Sequence, residues 1–94
     1  MPLPETFRAL ADPTRRRILD LLKKRSMAAG EIAEQFDMTG ATISHHLSVL
    51  KRAGLVSDRH EGKYIYYDLN LSVLEELIGW FSRLVEGGNS RNEK

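Results

Sequence analysis

The chain has 94 residues, 41% of them apolar, with a formal net charge of +1 and no cysteine. That length makes one domain with a small core. Without cysteine there is neither a disulfide nor a thiolate metal site, and no apolar run is long enough to span a membrane. Met1-Pro-Leu-Pro leads straight into charged Glu5 and Arg8, so no signal peptide is expected and the cytoplasm is the expected location. Bulk charge says little about partners, but its distribution says more. Basic residues gather at Arg15-Arg16-Arg17, Lys23-Lys24-Arg25, Lys51-Arg52 and Arg59-His60, whereas Glu75, Glu76 and Glu86 come late.

Thr6 to Leu10 is a short helical segment that must pack on something to persist. Asp12-Pro13 follows, a helix cap with proline at the first helical position, and predicts a helix from Pro13 to about Lys24. Its inner face is Ile18, Leu19, Leu21 and Leu22. Its arginine triplet reads either as a solvated face or as a clamp on phosphate. A second helix is predicted from Met27 to Phe36, with Ala29, Ile32, Ala33 and Phe36 inward; Gly30 weakens its start.

After the tight turn Asp37-Met38-Thr39 comes the stretch that matters most. With Thr39 as its cap, the segment to Arg52 splits into two faces at about 100° per residue. Ile43, Leu47 and Leu50 lie on one side, with Ala53 and His46 at its margins. Ala41, His45, Ser48 and Arg52 lie opposite, flanked by Thr42 and Ser44. No Asp or Glu occurs from Met38 to Ser57. An ordinary surface helix mixes both signs of charge; this one offers small donors and acceptors, then cations, and nothing that repels phosphate. Helix, short turn, helix is the geometry of a helix-turn-helix, whose second helix reads bases in the major groove. Gly54 stands where a helix takes a left-handed terminal residue.

Leu55 to Arg59 and Lys63 to Leu69 read as two strands joined through His60-Glu61-Gly62, with Ile65, Tyr67 and Leu69 on one face. The tip is expected to carry Arg59, His60 and Lys63, as a basic wing touching the DNA backbone or as a plain exposed turn. Ser72-Val-Leu-Glu75 reads as a capping box that starts a last helix. That helix runs to about Glu86 and is stopped by Gly87-Gly88-Asn89. Leu74, Leu77, Ile78, Phe81, Leu84 and Val85 form its stripe, which Val73 and Trp80 widen beyond what one small core covers. Pairing with a second copy is the expected use.

Four blocks now stand out: Ala11-Asp-Pro-Thr-Arg-Arg-Arg-Ile-Leu19, Gly30-Glu-Ile-Ala33, Ile43-Ser-His-His-Leu-Ser-Val-Leu-Lys-Arg-Ala-Gly-Leu-Val56 and Glu61-Gly-Lys-Tyr-Ile-Tyr-Tyr-Asp-Leu69. Together they resemble the ArsR/SmtB family of bacterial transcriptional regulators over roughly Phe7 to Leu84, in detail closest to its SdpR-type autorepressors. The resemblance implies a mostly α fold with a small β-hairpin, a winged helix-turn-helix in the order α-α-α-α-β-β-α. It implies a homodimer joined through the first and last helices and bound to operator DNA as a repressor. On this reading residues 1–88 form the DNA-binding and dimerisation domain, and 89–94 a polar disordered tail. Metal-sensing members carry a cysteine pair in the helix before the turn, or Asp and His ligands on the last helix. Here the first place reads Gly30-Glu-Ile-Ala-Glu-Gln-Phe36 and the helix from Ser72 to Glu86 has no His. His45 and His46 are adjacent on a helix and diverge. No metal and no cofactor is expected.

The residues expected at DNA are Thr39, Gly40, Ala41, Thr42, Ser44, His45, Ser48, Lys51, Arg52, Arg59, His60 and Lys63. His45, at the centre of the outer face, can donate or accept at a base edge or meet a phosphate, Thr42 and Ser44 can reach either, and Ala41 suits a thymine methyl. His46 is expected to be structural. Phe7, Leu77, Trp80, Phe81 and Leu84 are expected between subunits, with Leu74 and Ile78 facing the monomer's own core. No phosphate loop, cysteine nucleophile or paired carboxylate beside a histidine suggests an enzyme. The competing reading is a winged-helix protein-interaction module that does not act through DNA; the acid-free outer face argues against it. The sequence leaves open an effector or sequestering protein that removes the regulator from DNA.

Overall fold

The computed structural model describes residues 3–92, with side chains to Gly87. The elements are α1 (Leu3–Ala11), α2 (Pro13–Lys24), β1 (Met27–Ala28), α3 (Ala29–Glu34), α4 (Gly40–Arg52), β2 (Val56–Glu61), β3 (Tyr64–Leu69) and α5 (Leu71–Asn92). The expected mostly helical winged architecture is present, with one strand more than expected. β1, β3 and β2 form a single antiparallel sheet in that order.

The joint between α1 and α2 explains the arginine triplet. A helix ends with carbonyls that have no partner within it. Arg15 donates from Nε to the Ala9 carbonyl at 2.9 Å and from Nη2 to the Arg8 carbonyl at 3.0 Å. Arg16 donates from Nη1 to the carbonyls of Leu10 at 2.8 Å and Ala11 at 3.0 Å. The two cations close the C-terminus of α1, where a helix dipole favours positive charge. Arg17 lies over the Phe36 ring, 4.6 Å from its centroid. Asp12 caps α2 as expected, its Oδ2 accepting from the Arg15 N–H at 3.1 Å. Burial pushes the Asp12 carboxyl up, but that bond and the charges of Arg15 and His46 outweigh it and hold it below the usual range.

The predicted helix from Met27 to Phe36 is shorter than expected. Met27 and Ala28 are extended and pair with Tyr67 and Tyr66. Both are buried, and their backbone groups find partners along the second edge of β3. The six-residue α3 then starts at Ala29. Its cap carries no hydroxyl; instead the Glu31 carboxylate accepts from the Ala28 N–H at 2.9 Å and from Arg25 at 3.1 Å.

α4 begins at its expected cap, the Thr39 hydroxyl accepting from the Thr42 N–H at 3.1 Å. It ends in a Schellman closure: the Gly54 N–H donates to Lys51 and the Leu55 N–H to Leu50, each at 3.0 Å. Gly54 takes φ +77°, and a Cβ there would meet Val73 at 3.0 Å. Ile43, Leu47 and Leu50 are buried against Ile18, Leu22, Ile32, Leu55 and Val56. This core fixes the rotation of α4 and therefore what it shows to solvent.

β2 and β3 pair from Val56 opposite Leu69 to Glu61 opposite Tyr64. The loop is Gly62-Lys63, with Gly62 at φ +62°, a left-handed value that glycine supplies without strain. Arg59 and His60 therefore lie along β2 rather than at the tip, which is a correction to the expected turn. A second correction concerns the start of α5. Asn70, not Ser72, supplies the cap: its Oδ1 accepts from the Ser72 N–H at 3.1 Å, and helix begins at Leu71. The helix also runs through Gly87-Gly88-Asn89 instead of stopping there. Of the tail expected at 89–94, residues 93 and 94 lie outside the described residues.

Candidate nucleic-acid interface

The rotation of α4 leaves Gly40, Ala41, Thr42, Ser44, His45, Ser48, Lys51 and Arg52 exposed on its outer face, with Thr39 exposed at its head. Arg59, His60 and Lys63 are exposed on the wing. Every residue expected at DNA is thus accessible, but the cations among them differ in how they are held.

On the wing side of α4, cations are paired. Lys51 Nζ sits 2.9 Å from Asp58 Oδ2 on β2. The Lys51 hydrogen bond, against some burial and with the charges of Lys51 and His60, draws the Asp58 carboxyl below its usual range. Arg59 meets Glu61 at 3.0 Å and Asp68 at 3.3 Å, donates to the Ser26 hydroxyl at 3.0 Å, and lies 5.2 Å from the Tyr66 ring centroid. It ties β2 to β3 and to the chain entering β1, so part of its charge is spent inside the wing. Among the described residues, Lys63 at the tip is held only by its position 5.6 Å above the Tyr64 ring.

On the other side, α4 and α1 enclose a cleft of about 270 Å³ lined by Glu5, Arg8, Arg15, His45, Val49 and Arg52. His46 lies behind it, half-buried, with Nδ1 3.2 Å from Arg15 Nη1 and 4.0 Å from Asp12 Oδ2. Burial lowers its pKa; Asp12 pulls the other way, while Arg15 and His45 reinforce the lowering. A neutral ring with Nδ1 accepting from Arg15 fits this setting. His46 lies at the margin of the core, where it was expected, while the exposed neighbouring His45 faces outward.

The sequence reading left out Tyr64, which is 53% exposed beside the wing tip and rests 6.3 Å from Tyr66 between ring centroids. Its alternation in β3 was visible, but a strand aromatic reads as core until the register is known. Arg8 in the cleft was also missed, because only packing brings α1 beside α4.

Phe7 on α1 meets Trp80 and Phe81 on α5, with ring centroids 6.5 and 6.4 Å apart. Phe7, Phe81, Leu84, Val85 and Ile78 stay exposed, and Trp80 is half-buried. Two expected placements are reversed. Leu77 is only 4% exposed, held within its own chain, whereas Ile78 is 64% exposed. Both lie in the same stripe, and the exact docking angle of α5, which periodicity does not set, decides between them. Leu74 packs on the core as expected.

A helix-turn-helix with an acid-free outer face, followed by a hairpin wing that exposes Arg59 and Lys63 on a three-stranded sheet, defines a winged-helix DNA-binding domain. Residues 10–59 match the family described as a helix-turn-helix domain. The chain is 49% identical over 84 residues to the transcriptional repressor SdpR of Bacillus subtilis, covering 89% of this chain and 93% of that protein. An ArsR-like transcriptional regulator from Rhodococcus sp. RHA1 superposes with TM-score 0.89 at 28% identity, over 95% of this chain and 82% of its own. The homodimeric winged helix-turn-helix DNA-binding domain of Mb0332 from Mycobacterium bovis does so with TM-score 0.72 at 30% identity, over 95% of this chain and 82% of that one. The chain belongs to the ArsR family of winged helix-turn-helix transcriptional regulators, and it is a DNA-binding regulator.

Proposed function

We propose that the protein is a cytoplasmic repressor that binds a pseudo-palindromic operator as a homodimer and performs no catalysis. The observation that carries this reading is the outer face of α4. It is exposed, free of acids and ends in two cations, and it stands between a wing and a cation-lined cleft. His45, Thr42 and Ser44 read base edges, Ala41 contacts a thymine methyl, and the cations of α4 and the wing hold the backbone. Thr39 already spends its hydroxyl on the Thr42 N–H and lies 2.9 Å from the Thr42 hydroxyl, so it orders the head of the helix. The repressor assignment draws on the likeness to SdpR, and the dimer on the homodimeric relative from Mycobacterium bovis.

Phe7, Trp80, Phe81 and Leu84, joined by Ile78 and Val85, form the subunit contact. Pairing α5 with its copy across a two-fold axis covers these residues and sets two copies of α4 one DNA turn apart, roughly 34–36 Å. One domain, residues 1–88, carries both roles. An effector or a sequestering protein that releases the operator is compatible with this arrangement, and no residue set identifies it. The test is a gel shift with DNA from upstream of the protein's own gene against random DNA of equal length. Tighter binding of the upstream fragment supports a repressor of its own operon; equal weak binding of both contradicts sequence-specific repression there.

A further inference from the structure

We propose that the cleft between α1 and α4 is a phosphate site that takes a backbone phosphate of the bound DNA, with Arg8 and Arg52 as its two contacts. This rests on the reading of α4 as the helix that enters the major groove. Among the described residues, no carboxylate comes within ion-pairing distance of Arg8, Arg15 or Arg52, and the side chains of Arg8 and Arg52 make no hydrogen bond at all. Three guanidiniums nonetheless line one cleft of about 270 Å³, with Glu5 as the single acid beside them. Like charges do not gather in a concave site for stability; they repel one another there, and an anion relieves the repulsion.

The three have separate duties. Arg15 is immobilised by the carbonyls of Ala9 and Arg8 and by His46, so it sets a fixed positive charge at the cleft's base. Arg8 and Arg52 are free to turn, and a guanidinium fork suits phosphate oxygens. His45 and Val49 supply the shared wall, which places the cleft directly against the reading face of α4. The wing lies on the other flank, where Lys51 reaches Asp58. A major groove is bounded by two strands, so a helix seated in it has a backbone on each side. The wing addresses one of them and the cleft the other. α1 offers Phe7 to α5 and Arg8 to α4, so a subunit contact through Phe7 leaves the cleft open.

The experiment is an anisotropy titration of operator and random DNA across a salt series, with the full-length protein and its Arg8→Ala, Arg52→Ala and Arg8→Lys variants. Each lost phosphate contact lowers the slope of log affinity against log salt by roughly 0.9. The expected result is that drop for Arg8→Ala and for Arg52→Ala, with equal fold-losses on both DNAs and the slope largely restored in Arg8→Lys. Arg8 is exposed and, among the described residues, its side chain bonds to nothing, so unchanged melting curves are expected and confirm that the variant is folded. If the wild-type protein binds operator and Arg8→Ala binds with the same slope and affinity, the cleft is not a DNA contact. A free small anion is the remaining source of phosphate. Saturation of DNA-free protein by inorganic phosphate, abolished in Arg8→Ala while the DNA salt slope stays unchanged, overturns the backbone assignment in favour of that anion. Failure of the wild type to bind any DNA sinks the reading of α4 first.

Discussion

α4 and α5 both turn apolar residues inward, but α4 seats three of them fully while α5, among the described residues, buries only Leu77, and the faces they show to solvent differ in kind. α4 sets Ile43, Leu47 and Leu50 into the core and offers solvent hydroxyls, imidazole and cations. α5 sets Leu77 inward and offers Ile78, Phe81, Leu84 and Val85. The first outer face suits a wet, charged, groove-shaped partner; the second suits only another apolar surface. On the proposed reading one domain of this size carries two interfaces, and the core that seats α4 fixes the face it presents. Operator binding should therefore fail by two distinguishable routes.

The largest effect is expected on the α5 side. Phe81→Glu places a carboxylate at the centre of the proposed subunit contact twice per dimer, at a cost on the order of several kcal/mol for each unless it protonates. Light scattering should then report monomers or unfolded chain, and operator affinity should collapse because half-sites bind singly. A dimeric Phe81→Glu protein with normal operator affinity would free α5 from this role.

The contrast between helices also shows what was legible in the sequence. The face of α4 was readable because its inner positions, its cap at Thr39 and its Gly54 terminus are all local signals, and they agree. The extent of α5 was not, because a continuous apolar stripe does not say which leucine or isoleucine turns inward, and the cap fell to Asn70 instead of Ser72. β1 was invisible for a related reason. Met27-Ala28 has no strand pattern of its own and becomes extended only because Tyr66 and Tyr67 present an open edge. The duty of Arg15 and Arg16 as closers of α1 depended likewise on where that helix ends, a tertiary fact. Local chemistry reached the reading helix and the existence of the wing; long-range pairing decided the rest.

Within the DNA face, paired and free cations should separate. Lys63→Ala should lower the salt slope by about 0.9, the value for one full phosphate contact. Arg59→Ala should lower it by less, because Arg59 is already engaged by Glu61 and Asp68. Lys51→Ala should weaken operator and random DNA by similar factors, since it also leaves Asp58 facing phosphate unneutralised. Equal slopes for Lys63→Ala and Arg59→Ala would show that the ion pairs of the wing open on binding at no cost.

The smallest effect concerns His46, which supports α4 from behind. Its folded pKa lies below the ordinary 6.5, so the folded state favours the neutral ring. The stabilisation is complete above the unfolded value and is lost as pH falls through and below it. Thermal melts should show a modest decline in stability on passing from neutral to mildly acidic pH, flattened in His46→Gln, whose amide oxygen can still accept from Arg15. An identical acid-side decline in that variant would assign it to other groups.

His45 is where the account is most exposed, because an accessible imidazole at the centre of the outer face can meet a base edge or only a phosphate, and the two differ in specificity. The decisive measurement is the affinity of His45→Ala for operator and for random DNA, side by side at one salt concentration. A loss of about 1–3 kcal/mol on the operator, with a clearly smaller loss on random DNA, is the result expected of a base contact. Unchanged operator affinity would remove His45, and with it the centre of α4, from the reading surface.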